Sequence, residues 1–140
     1  MNRIKILFVA LIATLVLASC SEDEPPMMLW EVSATPSENV NAAFDPSFYT
    51  QIQITSNGEG GEVTLKCTNY KNLQLFEKQN DEGEYVIEDF RLRATVTEPD
   101  VIKIILDKMP EDFEEKRTIL YIYGTNGVTN TTGVSIVRKP

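Results

Sequence analysis

Phe90-Arg-Leu-Arg-Ala-Thr-Val-Thr97, then Glu98-Pro99-Asp100, then Val101-Ile-Lys-Ile-Ile-Leu106 is the stretch that decides the fold. Its first part alternates with a period of two: Leu92, Ala94 and Val96 share one face, and Arg91, Arg93 and Thr95 the other. Only a half-buried β-strand puts alternate residues on opposite faces. Glu98-Pro99-Asp100 breaks the pattern with turn chemistry. The apolar run that follows reads as a partner strand covered on both faces.

Working outward, the same signature recurs at short intervals. Leu29 to Ala34 reads as a first strand closed by Pro36, and Thr50 to Thr55 alternates polar and β-branched residues. Asn57-Gly-Glu-Gly-Gly61 supplies the positive φ that tight turns require, so residues 50–69 are expected to form a hairpin. Leu73 to Lys78 and Glu84 to Glu88 flank Asn80-Asp-Glu-Gly83 and read as a second hairpin. Met109 to Glu115 is an acidic connection with room for one irregular helical turn. Arg117 to Tyr123 and Gly133 to Arg138 complete the set, joined by a turn at Asn126-Gly127. Such a succession, with no amphipathic helix, predicts an all-β sandwich of immunoglobulin-like type with seven to nine strands. A small barrel would need more regular strand lengths, and a lone sheet would leave an apolar face wet.

The first nineteen residues stand apart from that pattern. Arg3 and Lys5 precede an apolar run from Ile6 to Leu17. The run is short for a membrane span, which takes about 20 apolar residues, and fits the apolar region of a cleaved secretory signal. Leu17-Ala-Ser-Cys20 looks like a lipobox, so Cys20 is expected to be acylated and to become the mature N-terminus. Two or more acyl chains make a stable anchor, each buried methylene contributing about 0.8 kcal/mol. Ser21-Glu-Asp-Glu24 resembles the export signal that sends lipoproteins of Bacteroidota to the cell surface, and Pro25-Pro26 begins a stiff spacer. The expected organisation is a signal peptide over 1–19, a lipidated tether over 20–28 and one β-sandwich domain over 29–140. The expected address is the outer membrane, held by lipid and facing outward.

Removing residues 1–19 leaves about 120 residues, one ordinary domain that can bury a core without staples. It also removes two basic residues and no acidic one, so the net charge of −8 becomes −10. That balance opposes nucleic acid as a partner, because phosphate must be neutralised by Lys and Arg. With Cys20 consumed, Cys67 has no partner in the chain. It shares the parity of Val63 and Leu65, which makes it a small core residue.

Gly60-Gly-Glu-Val-Thr-Leu65, Arg117-Thr-Ile-Leu-Tyr-Ile-Tyr123 and Val134-Ser-Ile-Val-Arg138 together resemble the BACON group of immunoglobulin-like domains of Bacteroidota surface proteins. In that family a Gly-rich turn leads into a strand, and an Arg-led penultimate strand precedes a final strand often ending near a glutamine. This chain ends Arg138-Lys-Pro140 instead, and residues 70–116 match only loosely. The resemblance implies a sandwich fold and, for some members, a role with glycans or mucin. It transfers no binding residue.

The sequence holds no histidine, which removes Ser-His-Asp and Cys-His nucleophilic arrangements and ordinary histidine-containing zinc sites. Neither a catalytic residue, a metal site nor a cofactor is expected. Carboxylates in loops (Asp81, Glu82, Glu111, Asp112, Glu114 and Glu115) read as solvated charge, since glycoside hydrolysis needs a pair held across a cleft. Asn80 to Glu84 has oxygen ligands for calcium without the spacing of a calcium loop. The remaining candidates are aromatic. Trp30, Tyr121 and Tyr123 could offer faces on which a sugar ring packs. A core plug is the commoner place for such a tryptophan, and cross-strand packing the commoner role for such tyrosines. The leading expectation is a non-catalytic surface module that binds a glycan or glycoprotein. The alternative is an assembly protein that docks on another envelope protein by strand addition at a sheet edge.

Overall fold

A computed structural model describes residues 26–75 and 80–140. The signal segment, Cys20 and the acidic part of the tether lie outside the described residues, as does the end of the expected strand 73–78. The described chain is all-β, apart from one 3-10 turn at Glu88–Phe90. Its strands are β1 (Trp30–Thr35), β2 (Val40–Phe44), β3 (Ile52–Ser56), β4 (Gly61–Cys67), β5 (Lys71–Leu75), β6 (Tyr85–Ile87), β7 (Leu92–Glu98), β8 (Val101–Leu106), β9 (Lys116–Thr125) and β10 (Thr129–Arg138). They form two five-stranded sheets, ordered β1-β4-β8-β7-β6 and β2-β3-β10-β9-β5, packed as a sandwich. All pairings are antiparallel except that of β3 with β10.

The alternation in the sequence locates the core correctly. Leu92 and Ala94 of β7, Ile102, Ile104 and Leu106 of β8, and Val63, Leu65 and Cys67 of β4 point inward and are buried. Opposite them lie Ile52, Ile54, Leu120, Ile122, Val134 and Ile136 of the second sheet. β8 is not covered on both faces: Val101, Lys103 and Ile105 look outward and are only half-buried. The acidic connection from 109 to 115 holds one isolated turn, in which the Phe113 amide donates to the Pro110 carbonyl at 3.3 Å, and no regular helix. Among the described residues ten strands replace the expected seven to nine because Val40-Asn-Ala-Ala-Phe44, with two small residues at its centre, carries too little apolar contrast to be read as β2.

Both expected hairpins at 50–69 and 73–88 are wrong, for one reason. Periodicity tells which face of a strand is buried, not which neighbour takes its backbone hydrogen bonds. β3 and β4 lie in different sheets, and so do β5 and β6. Asn57–Gly60 is therefore a crossing between layers that stand about 10 Å apart. Gly60 has φ 75, and a side chain there would meet the Leu106 carbonyl oxygen at 2.1 Å, so only glycine fits.

Two polar anchors fasten the layers. Trp30 of β1 reaches across the core, and its Nε1–H donates to Thr132 Oγ1 of β10 at 2.9 Å. Arg138, fully buried at the end of β10, donates from Nη1 to the carbonyls of Phe90 (2.7 Å) and Asp107 (2.6 Å), and from Nη2 to Asn57 (3.2 Å). Burial pulls the Arg138 pKa down and the nearby Asp107 carboxylate opposes the shift. Guanidinium starts so high that the group stays charged. One side chain thus ties three loops at one end of the sandwich. The opposite end is capped by the incoming chain. There the Tyr70 hydroxyl and Asn130 Nδ2 donate to the Pro26 carbonyl, Asn69 Nδ2 donates to Met27, and Met28 is buried.

Candidate functional site

Strand alternation gives each sheet one outward face, and the two differ. On the first sheet Glu31, Glu62, Lys66, Arg93 and Lys103 point outward. Lys103 Nζ lies 3.1 Å from Glu62, and Arg93 Nε 3.3 Å from Asp107. On the second sheet the register sets neutral residues in rows across the strands. Ala43, Gln53, Ser135 and Ile119 are neighbours in one row, and Asn41, Thr55, Val137 and Arg117 in another. Thr131, Tyr123 and Gln74 make a third. Arg117 is the one charge in these rows, and it holds Glu115 at 3.1 Å.

Tyr121 and Tyr123 belong to that neutral face, opposite in parity to buried Leu120 and Ile122, and both are half-buried. Each has an interaction of its own with the surrounding protein. Tyr121 stands across from Gly133, and a side chain added at Gly133 would meet the Tyr121 ring at 3.6 Å and Thr50 Cγ2 at 3.4 Å. The ring therefore covers the glycine, and the bare backbone of β10 lets it lie low on the sheet. Ile119, 45 % exposed, extends the row.

The β2–β3 loop adds two aromatic residues that sequence reasoning missed. Phe48 is 54 % exposed and Tyr49 86 % exposed, directly before the Thr50 that flanks Tyr121. Asp45 shapes this loop: its Oδ1 accepts from the Ser47 hydroxyl at 2.6 Å and the Ser47 amide at 3.0 Å. Those two bonds, the hydroxyl first, hold the Asp45 carboxyl below its ordinary pKa. The legible signal was Asp45-Pro-Ser47, a turn sequence followed by two adjacent aromatics with no strand to bury them.

Trp30 does not join this face. It is 6 % exposed, paired opposite Cys67 and bonded to Thr132, so its indole is a core plug and not a platform. Cys67 is buried too, and burial raises its thiol pKa, which keeps it protonated near neutrality. In the Asn80–Glu84 turn, Asn80 Oδ1 accepts from the amides of Glu82 (3.0 Å) and Glu84 (2.9 Å) and is spent on closing the turn. Among the described residues no group of three or more acidic, cysteine or histidine side chains could hold a metal ion.

The loop carboxylates separate into groups. Glu111, Asp112 and Glu114 line a groove of about 1030 Å³ together with Glu88, Asp89 and Asp107. The groove lies at the Arg138 end, between the 3-10 turn and the β8–β9 connection. All six of these carboxylates are exposed. Asp81 and Glu82 sit in the Asn80 turn, and Glu115 on Arg117.

Comparison with models of known protein families, with curated proteins and with solved structures finds no match in any of the three.

Proposed function

We propose that the chain is a surface-displayed lipoprotein, anchored through Cys20, whose sandwich is a non-catalytic binding module for a glycan or glycoprotein. The observation that carries the binding reading is the neutral outer face. In a chain of net charge −8, the inner rows of this sheet face hold hydroxyls, amides and tyrosines, and charge stands only at the rim, at Lys71 and the Arg117–Glu115 pair. Sugars offer C–H faces that pack on aromatic rings and hydroxyls that hydrogen-bond to such side chains. Catalysis is disfavoured by the exposure of the groove carboxylates, because a glycosidase acid is kept protonated by burial. The immunoglobulin-like reading draws support from strand order. β1-β4-β8-β7 and β5-β9-β10 follow the A-B-E-D and C-F-G arrangement, with β2 and β3 inserted between the first two strands. The lipobox, the acidic stretch after it and the BACON resemblance supply the address. On this reading residues 20–25 reach at most about 20 Å, so the end capped by Pro26 faces the membrane.

The test is a glycan and mucin array probed with the chain from residue 21 onward, which keeps both sheets and the whole buried core. Binding that disappears in Tyr121→Ala/Tyr123→Ala and persists in Lys103→Ala supports the reading. Silence of the folded protein across the array transfers the weight to the assembly alternative, for which exposed Ile119, Phe48 and Tyr49 would be the apolar contacts. Globomycin-sensitive processing and palmitate incorporation, lost in Cys20→Ala, test the anchor.

A further inference from the structure

The groove at the Arg138 end is a second site, separate from the neutral face, and its architecture specifies an occupant. From the groove lining and the strand order, we infer that it binds an extended peptide segment of a partner protein, with cationic and apolar side chains in alternation. Three observations converge. First, the groove is built in advance. Arg138 holds both lips through the Phe90 and Asp107 carbonyls, and the lips bond to each other where the Asp107 amide donates to the Arg91 carbonyl at 2.8 Å. The β8–β9 lip is fixed again where the Met109 amide donates to Gly58 at 2.8 Å and where the Phe113 ring fills the space above Gly58. A site of this size, formed before its ligand arrives, loses little to reordering.

Second, the lining is amphipathic. Val86, Ile87, Met109 and Phe113 offer apolar surface, while six carboxylates face three cations. One of those cations, Arg93, is already engaged by Asp107 at 3.3 Å and Glu84 at 3.8 Å. The surplus is negative, which complements lysine or arginine and repels phosphate or sulfated sugar. Third, β6 forms one wall and is the last strand of its sheet, with β7 on one side and no strand among the described residues on the other. An extended segment laid across the groove would turn successive side chains to its two walls, apolar ones to Val86 and Ile87 of β6 and cationic ones to the carboxylates of the β8–β9 connection. This inference does not rest on the glycan or lipoprotein readings.

The experiment follows fluorescence anisotropy of a labelled octapeptide alternating lysine and leucine, titrated with the chain from residue 21 onward. Saturable binding is expected, weaker at high salt, and absent for the glutamate–leucine and lysine–serine counterparts. Glu111→Gln/Asp112→Asn/Glu114→Gln should raise Kd by about tenfold, and Glu31→Gln/Glu62→Gln/Glu98→Gln, which removes the same charge elsewhere, by less than about twofold. Equal losses in the two triple variants would mean net charge alone, and overturn the site. So would lysine–serine binding as well as lysine–leucine, or no binding up to about 1 mM. Amide chemical shifts should move at 86–88 and 107–114, and shifts confined to the Tyr121 and Tyr123 face would overturn the assignment.

Discussion

The two outer faces of the sandwich come from sheets of five strands each, with the same inward–outward alternation, yet they are chemically different. The first is laced with Glu62–Lys103 and Arg93–Asp107 pairs. The second is mostly Thr, Ser, Gln and Tyr, with charge only at its rim, at Lys71 and the Arg117–Glu115 pair. A sheet needs only to be polar outside, and either composition satisfies that. The difference is therefore not required by folding. Exposed ion pairs keep a surface soluble at little gain in stability, while a large uncharged face with tyrosines forgoes that protection. On the proposed reading, that is the face that meets the ligand.

That contrast can be broken in a definite order. The largest effect belongs to the interior that both faces share. Trp30→Ala should cost about 3–5 kcal/mol, by loss of the ring and of its bond to Thr132, read as the midpoint of urea unfolding. Trp30→Phe should retain part of that stability and leave any glycan signal unchanged, since the indole never reaches the surface. Next comes a crossed pair of charges. Ser135→Glu, placed between Gln53 and Ile119, should abolish array binding while shifting stability by no more than about 0.5 kcal/mol. Lys103→Glu sets a second carboxylate beside Glu62 and should do the reverse, lowering stability by up to about 1 kcal/mol and sparing binding. If Lys103→Glu removes binding and Ser135→Glu does not, the assignment of the faces is inverted.

Smaller effects sharpen the picture. Raising salt to about 0.5 M screens the ion pairs of the first face. It should reduce the difference in stability between the wild type and Lys103→Glu, and leave binding on the uncharged face unaltered. The smallest effect concerns the Asp45 loop. Its carboxyl is depressed when folded, so the two Ser47 bonds contribute fully above the ordinary carboxylate range, near pH 4, and are lost as pH falls through the lower folded value. Tyr49 and Phe48 ring signals followed by NMR should therefore stay constant from neutrality to about pH 4 and shift only below it. In Asp45→Asn that low-pH step should vanish.

Fold class was legible because alternation is written residue by residue. Leu92, Ala94, Ile52 and Ile54 each sit where their parity put them. Sheet partnership was not, because nothing local marks whether Asn57–Gly60 turns back on its own strand or crosses to the other layer. Tyr121 and Tyr123 were legible as a pair by parity, whereas Gly133 beneath Tyr121 emerges only from register between strands. Arg138 shares the inward parity of buried Val134 and Ile136, but only the convergence of three distant carbonyls makes a charge there a buried tie. The groove belongs to the same category, since residues 86–93 and 107–116 meet there through β7–β8 pairing and that guanidinium.

The cap formed by Pro26 to Leu29 also fixes how the molecule carries load. Tyr70, Asn69 and Asn130 grip the chain where it enters, and β1 runs on from there along the length of the sandwich, zipped to β4 from Trp30–Cys67 to Thr35–Glu62. A pull applied at the N-terminus and resisted by a partner at the far end runs parallel to that ladder. Its hydrogen bonds are then sheared together and not peeled one after another. Anchored through Cys20 as proposed, and loaded at its far end, the domain would hold its shape under flow and would yield only when the whole β1 strand slipped at once.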